Sequence, residues 1–203
     1  MVLLGFPLLL PMDATTRAND LAWYSAHTDP AGPAMTWSMY AVGYTELGAG
    51  FEEQAAQFFN RSFANNVQPP FAVWKEGGRG GGCPNFLTGA GGFLQTLLHA
   101  YPGLRVNSSA MTFHSPSLPQ GATGVKLRGL AYLGNRLDVR ITQTAVNVTL
   151  REDSAPALSP GAPKASLGVL DADAGTLIPL QVGVPLTISP PRTFSILRAN
   201  KTK

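Results

Sequence analysis

Hydrophobic residues recur with a helical period through the first half of this chain and with a period of two through the second. A helix and a strand cannot share one pattern, so the change divides the fold into a helical part and a sheet part. The stretch "NDLAWYSAHTDPAGPAMTWSMYAVGYTELGAG" holds two helical segments, the first starting near Asp20, split by Asp29-Pro30-Ala31-Gly32-Pro33. Pro33 suits the first turn of a helix that runs to Leu47 with Met35, Met39 and Val42 on one face, and Gly48 suits its end. A further helix fits Phe51 to Phe63 through Phe51, Ala55, Phe58 and Phe59. Another begins near Thr88, carries the stripe Phe93, Leu94, Leu97, Leu98 and Tyr101, and stops at Pro102-Gly103. Helices this apolar are expected to pack inside a larger helical assembly.

Beyond Val106 the alternating runs are Val125 and Leu127, then Leu137, Val139 and Ile141, then Val146, Val148 and Leu150. Gly134-Asn135 is the expected hairpin turn between the first two. Leu177-Ile178 and then Val182, Val184, Leu186 and Ile188 predict more strands, and "REDSAPALSPGAPKAS" (151–166) predicts a loop. The boundary falls between Tyr101 and Val106, giving a helical segment 1–103 and an antiparallel sheet or sandwich over 104–203.

Composition excludes several functions. The net charge is +3, only 13% of residues are charged, and no dense Lys/Arg cluster occurs, so no nucleic-acid partner is expected. Cys83 is the single cysteine, which removes an internal disulfide framework and a cysteine zinc site. The start, "MVLLGFPLLLPM", has no basic n-region and is interrupted by Pro7 and Pro11. It is too short to span a bilayer, so a buried strand or extended segment is expected, with no membrane partner and a cytoplasmic setting. Sequence so core-like at Met1 also fits the inside of a longer domain. Sequons at Asn60, Asn107, Asn147 and Asn200 arise easily by chance and do not argue for secretion.

Glu76 is the best placed carboxylate for chemistry. Trp74 stands two residues before it, and "EGGRGGGCPN" allows close backbone approach. Asn85 and Thr88 bring hydrogen-bonding groups to the start of the next helix, whose first N–H groups are unpaired. On the residues alone, an exposed glutamate in a glycine-rich loop is the commoner state. Glu46, Glu52 and Glu53 fall on helix surfaces, and Asp29 suits a turn. His27, His99 and His114 show no ligand spacing, so no metal and no cofactor are expected. "GGRGGG" lacks the G-K-[ST] ending of a phosphate loop, and no G-x-S-x-G occurs.

"GPAMTWSMYAVGYTELG", "RSFANNVQPPFAVWKE" and "NFLTGAGGFLQTLL", in that order, resemble glycoside hydrolase family 65, and "VLLGFPL" resembles the segment that precedes them there. The resemblance runs from Val2 to Leu150 and is strongest from Gly32 to Leu98. It implies an α+β multidomain fold: the last helices of an (α/α)6 toroid over 1–103, then a small antiparallel β domain over 104–203. It also implies an inverting α-glucosidase that removes glucose from the glucosyl-galactosyl unit on collagen hydroxylysine. Glu76 matches the general base in the motif V-W-x-E. Substrate contacts would come from Trp74, Thr28, Thr36, Asn85 and Thr88. The general acid would lie upstream, so the partner expected in cis is the missing part of the toroid and the 203 residues alone are expected to be inactive. A sugar-binding or interaction module, or a trehalase of the same family, are the alternative readings. The family's phosphorylases replace the base with a phosphate site, so Glu76 favours hydrolysis. "KEGGRGGGCPN" is more glycine-rich and more basic than the resemblance leads one to expect.

Overall fold

The carboxylate of Asp13 accepts the backbone N–H of Thr16 at 2.9 Å and its hydroxyl at 2.7 Å. This N-cap starts α1 (Ala14–Ala26), so Asp20 sits within the helix and not near its start. The computed structural model describes residues 1–78, 81–154 and 164–199. Arg79 and Gly80 of the glycine-rich loop, the middle of the expected 151–166 loop and the sequon at Asn200 lie outside the described residues. The chain forms two units, Met1–Tyr101 and Pro102–Lys203.

In the first unit α2 (Met35–Leu47), α3 (Glu52–Ala64) and α4 (Leu87–Gln95) follow α1, and α4 continues into a π-type turn at Thr96–Ala100. A two-stranded antiparallel pair, β1 (Val67–Gln68) and β2 (Val73–Trp74), lies between α3 and α4 in sequence. The α2 helix is buried on nearly all sides. Trp37, Tyr40, Ala41 and Tyr44 pack with Leu21, Ala55 and Phe58, while Val42 packs with Phe6, Ala100 and Tyr101. Phe58 stacks on Tyr44 with ring centres 5.5 Å apart.

The buried face of α4 differs from the expected stripe. Gly89, Gly92, Thr96 and Ala100 are buried, whereas Leu94 is 56% exposed. The helix lies so close to α2 that bulk is excluded: a Cβ on Gly89 would stand 2.5 Å from Ala34 Cβ, and one on Gly92 2.5 Å from Ser38 Oγ. Met35, placed by period on the apolar face of α2, is exposed as well.

The N-terminal segment is not a buried strand. It forms a 3-10 turn at Val2–Leu4 followed by further turns, and only Phe6 is buried while Leu3, Leu8, Leu9 and Leu10 are exposed. Pro7 and Pro11 remove ladder donors, which disfavours a strand. Arg17 holds the segment instead: its guanidinium donates to Val2 O at 3.3 Å and pairs with Glu46 at 2.5 Å.

The second unit contains β3 (Leu104–Val106), β4 (Ala110–Phe113), β5 (Gly124–Tyr132), β6 (Asn135–Thr142), β7 (Val146–Ser154), β8 (Leu167–Asp171), β9 (Leu177–Pro179), β10 (Leu186–Ile188) and β11 (Phe194–Arg198). They form a four-stranded sheet ordered β10-β7-β6-β5 and a five-stranded sheet ordered β3-β4-β11-β8-β9, antiparallel throughout. Leu137, Val139, Ile141, Val146 and Val148 bury one face of the first. Met111, Phe113, Val169, Phe194 and Ile196 do so in the second, where Phe113 and Phe194 stack at 4.7 Å. Two antiparallel sheets, each with one buried face, are consistent with a β sandwich.

Three details of the sheet differ from the sequence reading. The β5–β6 turn is Leu133-Gly134, with φ 47 and 79, as a two-residue turn with both positions left-handed requires. Asn135 is the buried first residue of β6, and its amide donates to Leu133 O and Ala165 O. Strand β7 extends to Ser154, into the expected loop. Val182 and Val184 are exposed and outside the strands, because the chain turns at Gly183 (φ 75).

Candidate active site

Strand β2 delivers Trp74, Lys75 and Glu76 into a narrow hairpin whose return limb is Cys83 to Phe86. Phe86 N–H donates to Trp74 O at 2.9 Å, Glu76 N–H to Cys83 O at 3.1 Å, and Gly77 N–H to Gly81 O at 2.9 Å. The glycines let the limbs approach: Gly82 has φ 73, and a Cβ there would stand 2.8 Å from Glu76 Cβ. The side chain of Glu76 is half-buried. Its Oε2 accepts the backbone N–H of Cys83 at 3.0 Å. Among the described residues Oε1 accepts no hydrogen bond, so the carboxylate is anchored there through one oxygen.

The hairpin is tied to the start of α2. Glu76 O accepts Ala34 N–H at 2.8 Å, and Gly78 N–H donates to Ala31 O at 3.2 Å. It is tied to the end of α3 through Asn66, whose O accepts Lys75 N–H at 2.8 Å and whose side-chain amide donates to Glu76 O at 3.1 Å. Neither Asn66 nor Ala34 carries a sequence signal for a site. A buried amide and an ordinary alanine look like any other in a sequence.

The structure places the other candidates at the same end of the helical unit. Trp74 is half-buried with its ring 5.7 Å from that of Phe93, so part of its surface is already covered. Asn85 is exposed at φ 56, immediately before α4, and Thr88 is exposed in the first turn of α4. Thr36 is half-buried in the first turn of α2. Thr28 is tied down: its hydroxyl donates to Tyr24 O at 2.7 Å, so the 2.8 Å contact with Tyr40 is donated by the phenol. Burial raises the Tyr40 phenol above its ordinary range.

Four other carboxylates of the helical unit have work elsewhere, whereas Oδ2 of Asp20 is buried with no hydrogen-bond partner among the described residues. Asp13 caps α1, Glu46 pairs with Arg17, Glu52 accepts Gly50 N–H, and Asp29 accepts Ala31 N–H. Among the described residues no group of three or more His, Cys, Asp or Glu could hold a metal ion, and no helix is long and apolar enough to cross a membrane. In the β unit Asp138 accepts Gly129 N–H at the bulge of β5, and Asp171 binds Arg192 through both carboxylate oxygens. Both are structural acids. The open cleft in the β unit, lined by residues such as Pro116, Gln120, Thr142 and Pro190, contains no titratable group. The arrangement around Glu76 can hold a carboxylate still, with one oxygen that accepts no hydrogen bond from the described residues.

Residues 104–159 match the family model for the glycosyl hydrolase family 65 C-terminal domain. The protein-glucosylgalactosylhydroxylysine glucosidase of Danio rerio is 49% identical over 151 residues, 74% of this chain and 22% of that protein. The protein of the same name from Mus musculus is 41% identical over 155 residues, 76% of this chain and 22% of its own length. A kojibiose hydrolase of Mucilaginibacter mallensis is 34% identical over 129 residues, covering 63% and 19%. Among solved structures, a putative kojibiose phosphorylase from human microbiome superposes with a TM-score of 0.56 at 12% identity, over 97% of this chain and 22% of that one, a likeness of fold. The chain spans about a fifth of the length of the curated relatives it matches.

Proposed function

The chain belongs to glycosyl hydrolase family 65, and from that premise we propose that Glu76 is the general base of an inverting α-glucosidase. The substrate class is the glucosyl-galactosyl-hydroxylysine unit, the chemistry named in the relatives from Danio rerio and Mus musculus. The observation that carries the reading is the carboxylate of Glu76, held at Oε2 by Cys83 N–H in a hairpin fastened to α2 and α3.

In this mechanism Glu76 takes a proton from water as the water attacks the anomeric carbon. A carboxylic acid on the opposite face of the sugar protonates the departing oxygen. The two carboxyl groups stand roughly 6.5–9.5 Å apart, which leaves room for the water. Asp13, Asp29, Glu46 and Glu52 are engaged in a cap, in turns and in the Arg17 pair, and on the family resemblance the acid is assigned to a preceding part of a longer protein, acting in cis. Trp74 would lie against the sugar ring, with Thr36, Asn85 and Thr88 supplying hydrogen bonds and Thr28 holding the loop between α1 and α2. On this account the helical unit is the last part of an (α/α)6 toroid. The 203 residues alone do not hydrolyse the substrate.

One observation favours a binding role for the isolated chain. Leu8, Leu10, Trp23, Phe71, Leu87 and Leu94 are large apolar residues left exposed in the helical unit, suited to contact with further protein. The test of the catalytic reading is proton NMR of the first glucose released by the full-length protein. An inverting enzyme releases the β-anomer from an α-glucoside. Initial release of the α-anomer would remove Glu76 from the role of base.

A further inference from the structure

We infer that Asn66 is the positioning residue for Glu76, an amide inside the core that fixes the main chain from which the carboxylate projects. The inference rests on the reading of Glu76 as the base. Asn66 is fully buried, directly after α3, with its own N–H donated to Phe63 O at 3.1 Å. Its main-chain oxygen accepts Lys75 N–H at 2.8 Å. Its Nδ2 donates to Glu76 O at 3.1 Å and points to Lys75 O at 3.4 Å. Three contacts therefore hold three consecutive peptides, from Trp74 to Gly77, and the third is also held by Ala34 N–H.

The orientation of the amide follows from its neighbours. Exchanging Nδ2 and Oδ1 would set an oxygen against two carbonyls, so the donor faces Lys75 and Glu76. Oδ1 is then buried with no hydrogen-bond partner among the described residues. A buried acceptor without a donor disfavours the folded state. What the residue returns lies on its other side, in the two carbonyls. Aspartate has the shape but no donor, leucine has neither donor nor acceptor, and serine is shorter and brings a single proton. Only an amide of this length offers two protons to adjacent carbonyls. Cys83 N–H sets the carboxylate itself, so Glu76 is fixed at both ends of its side chain.

The test compares Asn66→Asp, Asn66→Ser and Glu76→Gln in the full-length protein, with amide hydrogen exchange of the same Asn66 variants in the 203-residue chain. Asn66→Asp is expected to lower kcat by about 100-fold with KM within about threefold, since a displacement near 1 Å costs that much. Asn66→Ser, with one donor, is expected to lose less. Exchange should quicken at Ala34, Lys75 and Cys83 while the α2 core around Ala41 and Val42 stays protected. A change of fold alone would instead raise exchange throughout the unit. Should Asn66→Asp fail to fold, the same two readings are taken on Asn66→Ser. Wild-type kcat in a folded Asn66 variant beside an inactive Glu76→Gln overturns the inference and leaves the base assignment standing. An active Glu76→Gln overturns both.

Discussion

Adding one methyl group at Gly89 and one at Gly91 should have opposite effects, although both glycines lie in α4. At Gly91 a Cβ meets nothing within 4 Å, so Gly91→Ala gains helix propensity alone, about 1 kcal/mol of stability. At Gly89 the Cβ would stand 2.5 Å from Ala34 Cβ, 3.3 Å from Phe86 Cδ1 and 3.4 Å from Trp74 Cε3. Ala34 is fully buried and its Cβ is bonded to the main chain, so relief requires α4 to move away from α2. Overpacking of this kind costs about 1–3 kcal/mol. Gly89 lies in the first turn of the helix, where the propensity gain is smaller, so the net change is a loss of about 1–2 kcal/mol. The two variants should therefore differ by about 2–3 kcal/mol in urea unfolding followed by far-UV circular dichroism, with equal m-values. If Gly89→Ala matches Gly91→Ala in stability, α4 does not seat on α2 through its glycines, and the placement of Trp74 beside that contact falls with it.

Glu46→Gln leaves the buried guanidinium of Arg17 without its carboxylate. Glu46 is partly exposed, so the expected loss is about 2 kcal/mol, below that of a fully buried pair, read as a lower urea midpoint. Leu133 holds φ 47 in the β5–β6 turn, a conformation asparagine tolerates better, so Leu133→Asn should add about 0.5–1 kcal/mol of stability, read as a higher urea midpoint. Arg192, together with the N–H groups of Asp173 and Ala174, holds the Asp171 carboxyl down to about 2 against an ordinary 3.8. The unfolded chain takes up that proton first, so this contribution is complete above the ordinary value and is lost as pH falls from 3.8 towards 2. Arg192→Gln should flatten the fall in melting temperature across that window, and an unchanged acid slope would refute the assignment.

Local patterns revealed what is local. Gly48 ends α2 as the sequence suggested, whereas Pro33 stands just before the N-cap Ala34 and not in the first turn, and the alternation of Leu137, Val139 and Ile141 marks the buried face of β6. The face of α4 misled because bulk ordinarily marks a core, whereas here two helices approach through Gly89 and Gly92 and leave Leu94 outside. Asn65 is exposed and Asn66 is buried, yet nothing in "ANNV" separates them; the difference arises from β2 returning to Asn66 across the turn. The pairing of β10 with β7, and of Asp171 with Arg192, joins residues far apart in the chain, for which a single sequence carries no local cue. Glu76 was singled out as the candidate base through its motif, while the Cys83 N–H on its carboxylate had no signal in the sequence, because a main-chain donor is the same for every residue type.

The most direct measurement is the turnover of a glucosyl-galactosyl-hydroxylysine peptide by the full-length protein carrying Glu76→Gln. The account predicts a fall in kcat of about 100- to 10,000-fold, the range supplied by a general base, with the melting temperature unchanged. Hydrolysis within a few-fold of wild type would contradict it.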